Sequence, residues 1–159
     1  MYTKSFDIRW SDLDANKHLA NASYLNFMSH TRMGFLMECG FNQESMAQYQ
    51  LGPVVFYEHI YYFKEAFAGK PIQVSLELKG LSKDGMFFEF HHNFYDHKGK
   101  NFAHGEMMGA WIDMKSRALA PLPEVFLNAF AGIEKADGFK VLTKEDTRKF
   151  AKKPLDKPV

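Results

Sequence analysis

Cysteine is almost absent: Cys39 stands alone in 159 residues, so no disulfide can form within the chain. A reducing compartment is the simpler expectation for such a sequence. Basic excess is missing too, because 20 Lys and Arg against 19 Asp and Glu leave a net charge of only +1. That removes the electrostatic case for a nucleic-acid partner. No run of about 18 apolar residues occurs, so no membrane-spanning helix is expected. The opening Met1 to Trp10 alternates polar and apolar residues instead of forming a basic-then-apolar leader, and a cytoplasmic location is expected. Neither an internal repeat nor a linker long enough to divide the chain is visible.

What is abundant is aromatic: sixteen Phe and seven Tyr. That supply suits a broad, flat core such as lies between a sheet and a helix. A domain near this length buries roughly 70% of its unfolded surface, enough for a core without metal or disulfide staples.

Strand signals are frequent. Tyr2, Lys4, Phe6, Ile8 and Trp10 fall on one face of a first strand, with polar residues between them. After a polar stretch over Ser11 to Asn21, Ala22 to Cys39 reads as a helix, ended by Gly40 in the left-handed position. Its apolar positions cover far more than one stripe, which predicts a helix buried nearly all round. Strands are expected over Val54 to Phe63, Ile72 to Leu78, Met86 to Tyr95 and Phe102 to Asp113. The turns Lys83-Asp84-Gly85 and Asp96 to Lys100 separate the last three. One long buried helix and five strands are best satisfied by an antiparallel sheet wrapped around the helix, an α+β architecture. A short helix over Glu124 to Ile133 follows Pro123. The domain is expected over 1–134, with a partly ordered, Lys- and Pro-rich C-terminal tail over 135–159.

The chemistry concentrates between the first strand and the long helix. The run from Arg9 to Tyr24 holds two carboxylates (Asp12, Asp14), two carboxamides (Asn16, Asn21) and the imidazole of His18. A helix N-terminus offers free N–H groups and a positive dipole end to a developing oxyanion. A carboxylate beside it is placed to attack a carbonyl or to activate water against it. Asp, Asn and Ser also cap helices and make turns with no chemistry at all, and spacing alone leaves both readings open.

The stretch Arg9-Trp10-Ser11-Asp12-Leu13-Asp14, followed by Asn16, His18, Asn21 and Tyr24, resembles the 4-hydroxybenzoyl-CoA thioesterase-like branch of the hotdog superfamily. It is also similar to the plant acyl-carrier-protein thioesterases, whose motif reads close to R-W-S-D-L-D-x-N-x-H-V-N-N-x-x-Y. The resemblance implies a hotdog fold and hydrolysis of acyl-CoA or acyl-carrier-protein thioesters. Asp14, Asn16 and His18 carry over as the catalytic triplet, with Asp14 as nucleophile or as base for water. Asn21 and Tyr24 then belong to the substrate-binding helix start. The departure is Ala20, where the motif has its first Asn. The resemblance also implies side-by-side pairing into a homodimer or a dimer of dimers, and no cofactor.

Glu58, inside the aromatic run Phe56 to Phe63, could join Asp14 as a second acid or base, or sit at a strand end paired with His59. His91 and His92 are strand neighbours that face opposite ways, and no HxxxH or CxxC spacing is present, so no metal is expected. Cys39 reads as a small buried thiol. Two other functions share the fold. A hydratase of this fold spaces Asp and His five apart with Asn-Pro between; here His18 is four after Asp14, and Lys17 replaces the Pro. A non-catalytic acyl-CoA binder would have no need of the triplet.

Overall fold

The alternation at the start of the chain does build a strand, and the polar stretch after it does feed a long helix. The computed structural model describes residues 1–150 and 152–157. Its elements are β1 (Tyr2–Phe6), α1 (Asn21–Glu38), α2 (Gln43–Tyr49), β2 (Leu51–Tyr62), β3 (Ile72–Ser82), β4 (Phe87–Tyr95), β5 (Asn101–Asp113), α3 (Glu124–Ala131) and β6 (Lys135–Leu142). The strand order is β1-β3-β4-β5-β2, every neighbour antiparallel, and β6 pairs parallel with β3.

One face of this sheet lies on α1. Phe88, Phe90 and Phe94 of β4 and Met107 and Trp111 of β5 join Tyr24, Phe27, Met28, Phe35 and Leu36 of α1 in one core. Gly105 permits the closest approach, since a Cβ there would lie 2.6 Å from the Met28 sulfur. Gly34 lies within α1, where the Tyr2 hydroxyl occupies the space a side chain would need. The helix ends at Gly40, whose φ of 87° is the left-handed conformation that glycine tolerates.

Three expectations need revision. The sheet has six strands, because β6 takes the length of the β3 edge that β1 leaves free: β1 covers Ile72 to Leu76 and β6 pairs from Leu78 to Ser82. β6 belongs to the segment expected as a tail; Ala151, Pro158 and Val159 of that segment lie outside the described residues. Helix α1 is buried on one side only. Leu25 and Met37 are exposed, since a sheet can cover just the face it wraps. Finally, β1 stops at Phe6, and Trp10–Asp12 form a 3-10 turn with Trp10 in solvent.

A polar cluster interrupts the core. Arg32 of α1 and Glu58 of β2 meet at 2.9 Å, a buried charge contact whose alignment falls short of a hydrogen bond. His92, fully buried, places Nδ1 2.8 Å from the Ser75 carbonyl. Burial, and then the nearby Arg32 charge, push its pKa down to about 3, so it stays neutral.

Candidate active site

The loop between β1 and α1 is built around two carboxylates with different surroundings. Asp12 is buried at 3% exposure. Its Oδ2 accepts from the Arg9 backbone N–H at 2.8 Å and from Arg9 Nε at 3.0 Å, and its Oδ1 accepts from Nη2 at 2.8 Å. These charge-assisted bonds hold its carboxyl below the usual range. Its own carbonyl accepts from the Ala20 N–H at 2.9 Å and from the Ser23 hydroxyl at 3.0 Å. Asp12 thus locks the loop to the start of α1.

Asp14 organises the next few residues and remains exposed. Its Oδ1 accepts from the backbone N–H groups of Asn16 at 2.8 Å and His18 at 3.0 Å. The tight turn they close passes through Lys17 at a φ of 63°, a conformation that favours Gly, Asn or Asp over Lys. Among the described residues no protein donor reaches Oδ2. Asp14 lines a cleft of about 380 Å³ together with His18, Asn21, Tyr24, Tyr62 and Glu65, among others.

The remaining groups divide. His18 is half-buried, with Nε2 3.9 Å from Glu65 and its ring edge-on to Phe67 at 4.9 Å. Its strand-like bridge to Phe67 and the Leu19 N–H bond to the Ala66 carbonyl at 2.8 Å pin the loop to the segment after β2. Ala20 is the N-cap of α1 and supplies no side-chain cap. The departure at Ala20 therefore leaves the helix N-terminus without a side-chain oxygen over its first N–H groups, apart from Asn21 Oδ1 on Ala22. Tyr24 forms the cleft wall, edge-on to Tyr62 at 5.0 Å. Burial raises its pKa to about 12, with Tyr62 adding to the rise, so it keeps its proton.

The structure therefore brings Asp14, His18, Asn21 and Tyr24 to one cleft. Asn16 touches Asp14 through its backbone N–H, but its side chain is exposed and outside the lining. Glu58 is not in the lining either, because Arg32 engages it deeper along α1. Lys64 and Glu65 line the cleft without having been anticipated. They lie in a short polar connection, and only the bridge from His18 to Phe67 shows why they belong here. A larger apolar groove of about 730 Å³ runs between α2 and the ends of β2 and β5, past Met46, Leu51, Pro53 and Met114. It holds no acid–base pair, and none of the candidate residues from the β1–α1 loop lines it. Cys39 is partly buried, and burial raises its thiol pKa, which makes it a poor nucleophile.

A sequence model described as the thioesterase-like superfamily matches residues 8–130, most of the chain and this loop from Ile8 onward. The chain belongs to that superfamily. Solved structures give the fold of a thioesterase-like protein as well. A hypothetical protein of Staphylococcus aureus, solved in complex with CoA, superposes with a TM-score of 0.77 at 18% identity, over 99% of this chain and 95% of that one. A 1,4-dihydroxy-2-naphthoyl-CoA thioesterase from Synechocystis gives 0.73 at 15%, over 82% and 96%. A gentisyl-coenzyme A thioesterase gives 0.71 at 20%, over 80% and 98%. At these identities the likeness establishes the hotdog fold. No curated protein matches the sequence.

Proposed function

We propose that the protein hydrolyses acyl-CoA thioesters to the free acid and the thiol, with Asp14 as the central catalytic residue. The observation that carries this reading is the state of Asp14. Its Oδ1 is fixed by two backbone N–H groups, its Oδ2 has no protein donor among the described residues, and the residue lines a cleft beside the start of α1. In the reaction Asp14 either takes a proton from the water that attacks the thioester carbon, or attacks that carbon itself and forms an acyl-aspartyl anhydride that water then hydrolyses to the free acid. The carbonyl oxygen gains charge as the tetrahedral centre forms, and the Asn21 backbone N–H at the positive end of the helix dipole stabilises it. The C–S bond then breaks, and the thiolate leaves with little need of a proton. His18, steadied by Phe67 and near Glu65, can supply that proton or orient the water. Asn16 serves through its backbone, holding Asp14. CoA is preferred over a carrier protein as the acyl carrier because two of the similar structures are named as CoA thioesterases and one was solved with CoA.

A panel of acyl-CoA esters, aliphatic and aromatic, read by free thiol release, tests the reading. Turnover of at least one ester is expected. Hydration of enoyl-CoA without thiol release would move the protein to the hydratase class, and binding without turnover would make it an acyl-CoA sensor.

The site also calls for a second copy. β2 is a terminal strand with an unpaired edge, and Val55, Phe56, Tyr61, Tyr62 and Phe63 along it are exposed. An edge of that kind invites pairing. Tyr62 and Phe63 also line the Asp14 cleft, so a partner strand placed there would cover the cleft's open side. A homodimer, or a dimer of dimers, is the expected assembly. A sedimentation mass of one chain at micromolar concentration would remove it.

A further inference from the structure

The face of the sheet turned away from α1 carries an unexplained polar cluster. His91 of β4 and His104 and Glu106 of β5 present one ligand atom each within 4.8 Å of one another. His91 sits directly across from Glu106 in the ladder, and the two imidazole rings stand edge to face at 5.0 Å. His92, next in sequence to His91, faces the core, so the pair that meets is formed across strands and not along one.

From this geometry we infer a binding site for one divalent transition ion of the zinc class, held by His91, His104 and the Glu106 carboxylate and completed by water. Two imidazoles and a carboxylate are donors that such an ion accepts, with the fourth position left open. Tetrahedral donors around zinc lie about 3.3 Å apart given its ordinary bond lengths. His104 Nε2 is already 3.9 Å from Glu106, so small side-chain rotations close the site.

The surroundings orient these donors. His104 Nδ1 lies 2.9 Å from Asn93 Oδ1, which leaves Nε2 free for an ion. The Asn93 amide in turn donates to Glu77 at 2.9 Å. A partner on the second ring nitrogen is the usual companion of a metal-bound histidine. Two other carboxylates lie near His91: Glu89, 3.9 Å from its Nε2, is 3.3 Å from Lys149, and Glu77, across from it in the ladder, accepts from Asn93, which leaves Glu106 as the available acid. None of the three donors lines the Asp14 cleft. The ion would join β4 to β5 from outside the core, apart from the proposed hydrolysis.

The test is equilibrium dialysis of the full chain, stripped by chelator, against zinc chloride, with bound zinc counted per chain. One ion per chain is expected for the wild type and for His97→Gln, an exposed hairpin histidine. The double variant H91Q/H104Q should lose it, and Asn93→Ala should weaken it by about 10–100-fold, the usual cost of losing an orienting partner. Zinc should raise the melting temperature of the wild type and not of the double variant. If the double variant fails to fold, Glu106→Gln takes its place and should bind less tightly than wild type. Equal zinc on wild type and on the histidine or Glu106 variants would overturn the site; such binding would sit elsewhere, as at His18 and Glu65.

Discussion

Asp12 and Asp14 are two residues apart in one loop, and the structure uses them in opposite ways. Both oxygens of Asp12 are engaged: Arg9 donates three bonds to its carboxylate, and its carbonyl holds Ala20 and Ser23. Asp14 has one oxygen held and one without a protein donor among the described residues, and it lines the cleft. A carboxylate whose acceptor sites are filled contributes to stability, while one with a free, oriented lone pair remains available for chemistry. Identical side chains in the same loop are thereby separated by their partners alone.

The sharpest way to break this contrast is Asp14→Asn. The change keeps the shape and the Oδ1 acceptor but removes the charge that attacks or deprotonates. Thioester hydrolysis should fall by at least ~10³-fold, toward the upper end of what acid–base assistance supplies, with the melting temperature nearly unchanged. Near wild-type turnover on every ester the wild type cleaves would end the proposed mechanism.

A smaller effect is expected at His18. Its ring contacts Phe67 and faces Glu65 at the edge of the cleft, and its backbone, not its ring, holds the loop. His18→Ala should therefore lose roughly 10²-fold in turnover, in the range of acid–base assistance, and should still fold. A collapsed thermal transition would instead make it a structural histidine.

The fold was legible where residue order carries its own period. The alternation of Ile72, Val74, Leu76 and Leu78 marks β3 because each of those side chains is buried on the α1 side. The long apolar stretch before Gly40 marks α1, although its exposed Leu25 and Met37 hide the fact that one side is uncovered. Two elements carry too little pattern. α2, Gln43 to Tyr49, has no buried residue and depends on the Asn42 and Ser45 capping box for its start. β6 is rich in charge because it needs only the backbone of the β3 edge, with Leu142 its one buried residue. In the site, the carboxylates and His18 were visible as a dense polar run. Glu65 was not, because the contact that brings it there crosses nearly fifty residues. The meeting of His91 and His104 was hidden for the same reason: linear spacing tests two residues on one element, and this pair belongs to two.

Asp12→Asn tests the other half of the comparison and carries the smallest expected effect. Asn can still accept from the Arg9 backbone, but it loses the two-pronged charge contact with the guanidinium. The Arg9 side chain is largely exposed, so solvent screens the attraction and its worth lies at the low end for an ion pair. The loss should be of the order of a missing cap, about 1 kcal/mol, or about 2–4 °C in melting temperature for a chain of this size, with only a modest change in turnover. The pH dependence separates charge from shape. Arg9 holds the Asp12 carboxyl below its ordinary value in the folded state, so its stabilisation is complete above the unfolded value near about 4. It is lost as the pH falls through the depressed folded value, where wild-type Asp12 becomes protonated. Melting curves of wild type and Asp12→Asn should thus differ most near neutrality and converge in acid. A gap that stays constant down to the acid limit would mean that Asp12 acts through its shape and hydrogen bonds alone, and that the two carboxylates differ in geometry and not in the use of their charge.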